Sequence, residues 1–146
     1  MANYNGTTRS NEFLVNDKEK AEAIVGSILT DGEIHYDINP TEQEGIFKCW
    51  FGSYGNIYGL NKNYLSNDNN SDEDMDDEED YDLMISELQS ILVDGEVINI
   101  VDIGYEKLRY VGGGCLVITK NNCKYIDIIK EAEKISKELL DNKETV

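Results

Sequence analysis

Apolar residues recur along this chain with two periods, one near 3.6 residues and one of two, and the switches between them mark out its elements. Phe13-Leu14-Val15 reads as a short strand. Asn16 or Asp17 can then cap a helix by accepting from the free N–H groups of its first turn. That helix runs to about Leu29, with Ala21, Ile24, Val25 and Ile28 on one stripe. From Glu33 to Ile38 the period drops to two, with Ile34, Tyr36 and Ile38 on one side and Glu33, His35 and Asp37 on the other. Asn39-Pro40-Thr41-Glu42 is turn chemistry, and residues 46–51 return as a second strand, which predicts an antiparallel hairpin.

The second half repeats this plan. A helix is predicted from about Asp80 to Leu92, with Leu83, Met84, Leu88 and Ile91 facing inward. Val97 to Ile103 and Arg109 to Lys120 form a second hairpin, joined near Gly104-Tyr105-Glu106-Lys107. Gly112-Gly113-Gly114 interrupts its second strand and predicts a bulge or a close backbone approach. Asn121-Asn122 turns the chain into a last strand, Lys124 to Ile128, and a final helix from about Ile129 to Asp141 carries Ile129, Ala132, Ile135, Leu139 and Leu140 as its apolar face.

Ser27-Ile28-Leu29-Thr30-Asp31-Gly32-Glu33-Ile34 recurs as Ser90-Ile91-Leu92-Val93-Asp94-Gly95-Glu96-Val97, each time between a helix and a strand. The match points to an internal α-β-β pseudo-repeat, in which Ile-Leu closes the helix and Asp-Gly stops it with a left-handed cap. The element order is then β-α-β-β-loop-α-β-β-β-α. Sequential strands joined by short turns favour an α+β fold, an antiparallel sheet with helices packed on one face. Residues 1–146 are expected to form a single domain, with residues 1–10 a polar lead-in and residues 61–80 a mobile acidic loop too poor in apolar side chains to offset its ordering entropy.

Charge changes the picture most. Thirty acidic residues against thirteen basic ones give −17. Eleven carboxylates fall between Asp68 and Glu87, with no Lys or Arg among them. Such a field repels nucleic acid and anionic membrane and draws in basic surfaces. The partner expected is therefore a basic protein surface, with no direct contact to nucleic acid or membrane. Its binding residues are expected to be Asp68, Asp72, Glu73, Asp74, Asp76, Asp77, Glu78, Glu79, Asp80 and Asp82, assisted by Tyr54, Tyr58, Tyr81 and Tyr105. Tyrosine combines contact area with a polar handle, which favours it at interfaces. Trp50, between Cys49 and Phe51, reads as a core strand residue.

No apolar run approaches the length that spans a bilayer, and the N-terminus lacks the plan of a signal peptide. These features, with three dispersed thiols at Cys49, Cys115 and Cys123, predict a cytoplasmic setting. Cys115 and Cys123 could face each other across a hairpin.

Signatures of catalysis are missing from the pattern. His35, the single histidine, lies on the polar side of a strand without a partner that would make it a general base. One histidine and scattered cysteines do not give zinc spacing. The glycine clusters lack the spacing of phosphate loops. Asp68, Asn70, Asp72, Asp74, Asp76 and Glu79 fall in a calcium-loop register, but Glu73 stands where the sharp turn needs glycine. The sequence thus points to a protein that is not an enzyme and carries no cofactor or metal.

The segments Asn5-Gly6-Thr7-Thr8-Arg9-Ser10-Asn11, Phe51-Gly52-Ser53-Tyr54-Gly55 and Gly104-Tyr105-Glu106-Lys107-Leu108-Arg109-Tyr110-Val111-Gly112-Gly113 resemble a family of small acidic proteins carried by bacterial phages and plasmids. The resemblance spans most of the chain and brings no active-site motif. It implies the company of mobile-element accessory genes in a bacterial host. In that setting an acidic protein is similar in its charge to anti-CRISPR and anti-restriction inhibitors, DNA mimics whose carboxylates occupy a channel meant for phosphates. The expected function is inhibition of a host defence nuclease. The alternative is an interaction or immunity-type module that binds through its sheet face, with the acidic loop only a solvated insertion.

Overall fold

The computed structural model describes residues 5–62 and 79–141. In chain order the elements are β1 (Asn5–Ser10), β2 (Phe13–Val15), α1 (Lys18–Gly26), β3 (Ile28–Thr30), β4 (His35–Pro40), β5 (Phe47–Ser53), β6 (Ile57–Asn61), β7 (Glu79–Asp80), α2 (Tyr81–Ile91), β8 (Ile98–Glu106), β9 (Tyr110–Ile118), β10 (Cys123–Asp127) and α3 (Ile128–Asp141). The fold is α+β, and every strand pairing among the described residues is antiparallel.

Local chemistry sets the first two helices. Asp17 accepts from the Lys20 N–H at 3.0 Å and Asp80 from the Leu83 N–H at 2.9 Å, so each aspartate satisfies a free donor of its helix's first turn. From there α1 turns Ala21, Ile24 and Val25 inward, and α2 turns Met84, Leu88 and Ile91 inward. These residues meet the inner face of a seven-stranded sheet, which contributes Phe13, Val15, Cys49, Phe51, Ile98, Ile100, Leu116 and Ile118. Phe13 and Phe51 pack edge to face with centroids 6.1 Å apart.

The sheet runs β10-β9-β8-β1-β5, with β5 flanked by β4 along one edge and by β2 and β1 along the other. A smaller sheet of β3, β6 and β7 stands beside it. The two long hairpins, β4-β5 and β8-β9, thus lie on either side of β1; β8-β9 follows α2 directly, whereas β3 comes between α1 and β4-β5.

Several expectations need correction. The polar lead-in of residues 1–10 supplies a central strand, β1, between β8 and β5. Its inward side chains are hydroxyls that find partners. Thr8 Oγ1 donates to the Gly55 carbonyl at 2.9 Å, and Ser10 Oγ accepts from the Phe51 N–H at 2.9 Å. The first helix ends at Gly26, capped by Ser27, and Ile28–Thr30 leaves it to pair with β6. Neither Asp-Gly step caps a helix: Leu92 caps α2, and Gly95, at φ 86°, sits in the turn that follows. Only the glycine's close-approach reading holds at residues 112–114, because β9 keeps unbroken register with β8. Cys115 opposes Ile126 and Cys123 opposes Ile118, so those thiols do not face each other. Most of the acidic segment expected as a loop, residues 63–78, lies outside the described residues.

α3 departs from the pattern of the other helices. Asp127 accepts from the N–H groups of Ile129 and Lys130 at 2.9 and 3.0 Å and so caps it directly on the end of β10. No residue of α3 is buried.

Candidate functional site

Pleating sends alternate residues of each strand to opposite faces. Because Cys49 and Phe51 point into the core, Trp50 and Gly52 point the other way. Register carries this outer face across the sheet. Arg9 opposes both Gly52 and Val101, Thr7 opposes Ile103, Val101 opposes Cys115, and Cys115 opposes Ile126. On the far side of β5, His35 opposes Gly52 and Asp37 opposes Trp50.

This face has two halves. Over β1, β5 and β4 it is polar and aromatic. The Arg9 guanidinium lies 4.4 Å from the centroid of the Trp50 ring, a cation–π contact that pins a long side chain flat on the sheet. His35 and Tyr54 meet edge to face at 6.0 Å. Thr7, Arg9, His35, Trp50, Ser53 and Tyr54 border a hollow of about 300 Å³. Ser53 closes its floor: it is 5% exposed and shares a 2.5 Å hydrogen bond with Thr30 of the smaller sheet. Over β8, β9 and β10 the face is apolar, with Val101, Ile103, Tyr105, Val111 and Ile126 all exposed. Single exposed apolar residues are ordinary, but a contiguous group of this kind marks a contact surface.

Charge follows the same division. On the outer face the strands carry Arg9, Lys48 and Lys124 against Asp37, a net positive charge on a chain of charge −17. Asp80 and Asp82 stand at the start of α2, which packs on the inner face.

The tyrosines and carboxylates singled out from the sequence do not converge. Tyr54 borders the hollow and Tyr105 lies on the apolar half of the outer face. Tyr58 donates to Asp31 on the smaller sheet. Tyr81 opens α2, near Asp102 and Cys123, and its hydroxyl pKa is raised by burial and then by those two charges. Glu79 and Asp80 form β7. Asp68, Asp72, Glu73, Asp74, Asp76, Asp77 and Glu78 lie outside the described residues.

Sequence reasoning missed two residues. Arg9 was hidden in what looked like a polar lead-in, and Trp50 reads as core but is half-buried on the outer face. The available signal was alternation: with Cys49 and Phe51 inward, Trp50 had to face out.

Titration adds little chemistry. Burial, then the charge of Asp37, pushes the Cys49 thiol up to about 12. Burial, then Asp102, raises Cys115. Tyr125 is raised by burial and by its hydrogen bond to Asp102. Each of these shifts moves its group away from neutral pH, the reverse of activation for nucleophilic or acid–base work. Among the described residues no three His, Cys, Asp or Glu side chains gather as a metal site would need. Nor is any described helix long and apolar enough to cross a membrane. Comparison of the chain with protein families, curated proteins and solved structures finds no match.

Proposed function

We propose that this chain is a non-catalytic protein-interaction module that binds its partner through the outer face of its sheet, with the Arg9–Trp50 hollow as the anchor. The observation that carries this reading is the stacked Arg9–Trp50 pair beside Tyr54 in an open hollow. Arg, Trp and Tyr dominate binding energy at protein interfaces, where they fill or form pockets at the centre of the contact. The pair is preorganised, so little side-chain freedom is left to lose on docking.

A second reading rests on a different observation, the eleven carboxylates between Asp68 and Glu87. In it the acidic segment engages a basic nucleic-acid-binding surface of a host defence nuclease in a bacterial cytoplasm, as an anti-CRISPR-like DNA mimic. Tyr81, Asp80 and Asp82 then form the base of the contact. The net charge and the resemblance to mobile-element proteins support it.

Affinity capture from a bacterial lysate, with the wild type, Trp50→Ala and a deletion of residues 67–78, which spares β7 and the capping Asp80, run in parallel at low and high salt, separates the two. The sheet-face reading expects one retained protein that survives high salt and the deletion but is lost with Trp50→Ala. Loss on deletion and in high salt, with Trp50→Ala unaffected, selects the acidic-segment reading instead. A partner retained through all three treatments refutes both.

A further inference from the structure

We infer that two copies of this chain associate, with α3 of each copy packing its apolar stripe on the β8-β9-β10 half of the other's outer face. Three observations meet in this assignment. Ile128, Ile129, Ile135, Leu139 and Leu140 are between 47% and 70% exposed, although they line one side of a strongly amphipathic helix. A helix of this pattern normally buries that side. Val101, Ile103, Val111 and Ile126 form an equally uncovered apolar floor at the same end of the molecule, and Gly113 leaves a low place among them, opposite Ile103. Finally, α3 begins at the residue after β10 ends, and Asp127 fixes its direction by capping it. Folding a helix back onto its own sheet takes a connection of about 2–6 residues. Here there is none, and in one copy the helix stripe and the floor do not cover each other: the apolar residues of both are exposed.

A two-fold dimer makes the same contact twice. Five large aliphatic side chains cover roughly 500 Å² when buried. Counted on helix and sheet in both copies, the association buries roughly 2,000 Å², at the upper end of the ~1,200–2,000 Å² of stable interfaces. The chain's acidity does not oppose this. α3 carries three lysines against four carboxylates, the floor carries Lys124, and the dense carboxylate run leads into α2 on the other side of the sheet. The contact covers the apolar half of the outer face up to Val101 and Ile103, which pair with Arg9 and Thr7, and so leaves to the partner reading above only the β1-β5-β4 half.

Light scattering or sedimentation of the full chain at tens of micromolar tests the inference. The expected mass is twice the 16.5 kDa of one copy. Ile135→Glu on the helix and Ile103→Lys on the floor should each give the single-copy mass with an unchanged far-ultraviolet spectrum, because both side chains are exposed in one copy. Leu139→Lys and Val101→Lys serve in place of either variant that fails to fold. A wild type of single-copy mass overturns the inference. So does a dimer that survives the floor substitutions, since the helices would then be pairing only with each other.

Discussion

Tyr125, on the edge strand β10, donates its hydroxyl to Asp102 of β8 at 3.0 Å, reaching past Gly114 of the strand between them. The three elements explain each other. A Cβ at position 114 would run into the Tyr125 hydroxyl and the Ile126 carbonyl, so the strand needs glycine for the bond to form. We expect Gly114→Ala to destabilise the fold by about 1–3 kcal/mol, as overpacking does. Tyr125→Phe, which removes only the exposed hydrogen bond, should cost about 0.5–1.5 kcal/mol. Urea denaturation midpoints of the two variants check the order. An alanine variant as stable as the wild type would show that the strands do not approach this closely.

Alkali should destabilise this protein through a buried thiol. Cys49 has no exposed surface, and its thiol is pushed from 9.0 to about 12. The unfolded thiol ionises above pH 9 while the folded one keeps its proton, so the unfolded state binds fewer protons in that window. Stability is therefore fully present below about pH 9 and falls as pH rises towards 12, with a slope of up to ~1.4 kcal/mol per pH unit from this group. Tyr81 and Tyr125, both raised, act in the same direction. Melting temperatures from pH 8 to 12 should decline, and Cys49→Ala should flatten the decline while lowering the starting value. A flat wild-type profile would rule the effect out.

Asp80 has a structural duty that is separable from its charge. Its carboxylate caps α2 through the Leu83 N–H. Asp80→Ala should cost about 1 kcal/mol, whereas Asp80→Asn, which can still accept that bond, should cost only a few tenths. The asparagine variant thus tests the acidic-segment reading without disturbing the helix. Weaker capture of a basic partner by a variant of unchanged melting temperature supports a docking role for the charge, and unchanged capture denies it.

The periods of two and 3.6 residues made the hairpins and the buried stripes of α1 and α2 legible, because in those elements tertiary packing follows the apolar pattern. β1 was not legible for a physical reason. Its inward residues, Thr8 and Ser10, are buried through hydrogen bonds to Gly55 and Phe51, and periodicity in apolar residues carries no trace of that. Ile28–Thr30 has the same apolar character whether it ends a helix or starts a strand, and its pairing with β6 decided the matter. The helix stripe on α3 was visible, but a stripe says only that a surface wants cover, not where the cover comes from. Of the candidate site, Tyr54 and Tyr105 could be found from composition. Arg9 over Trp50 could not, since it depends on the register between β1 and β5.

Gly59 holds the base of the acidic segment in place. It has φ 127°, which side chains rarely adopt, and a Cβ there would lie 2.7 Å from the Asp80 carbonyl carbon and the Tyr81 nitrogen. It sits on β6 next to Leu60, which pairs with Asp80, so the short β7 and the first turn of α2 are pressed against a bare backbone. We expect Gly59→Ala to cost about 1–3 kcal/mol from the strained conformation alone. The contact adds a local consequence: β7 and the capping Asp80 must move away. Amide exchange should then quicken most at Leu60, Asn61 and Leu83, and least in the paired centre of β8 and β9, which belongs to the other sheet. Equal acceleration at all of these amides would mean that the glycine matters only to global stability and that the segment's base is not anchored there.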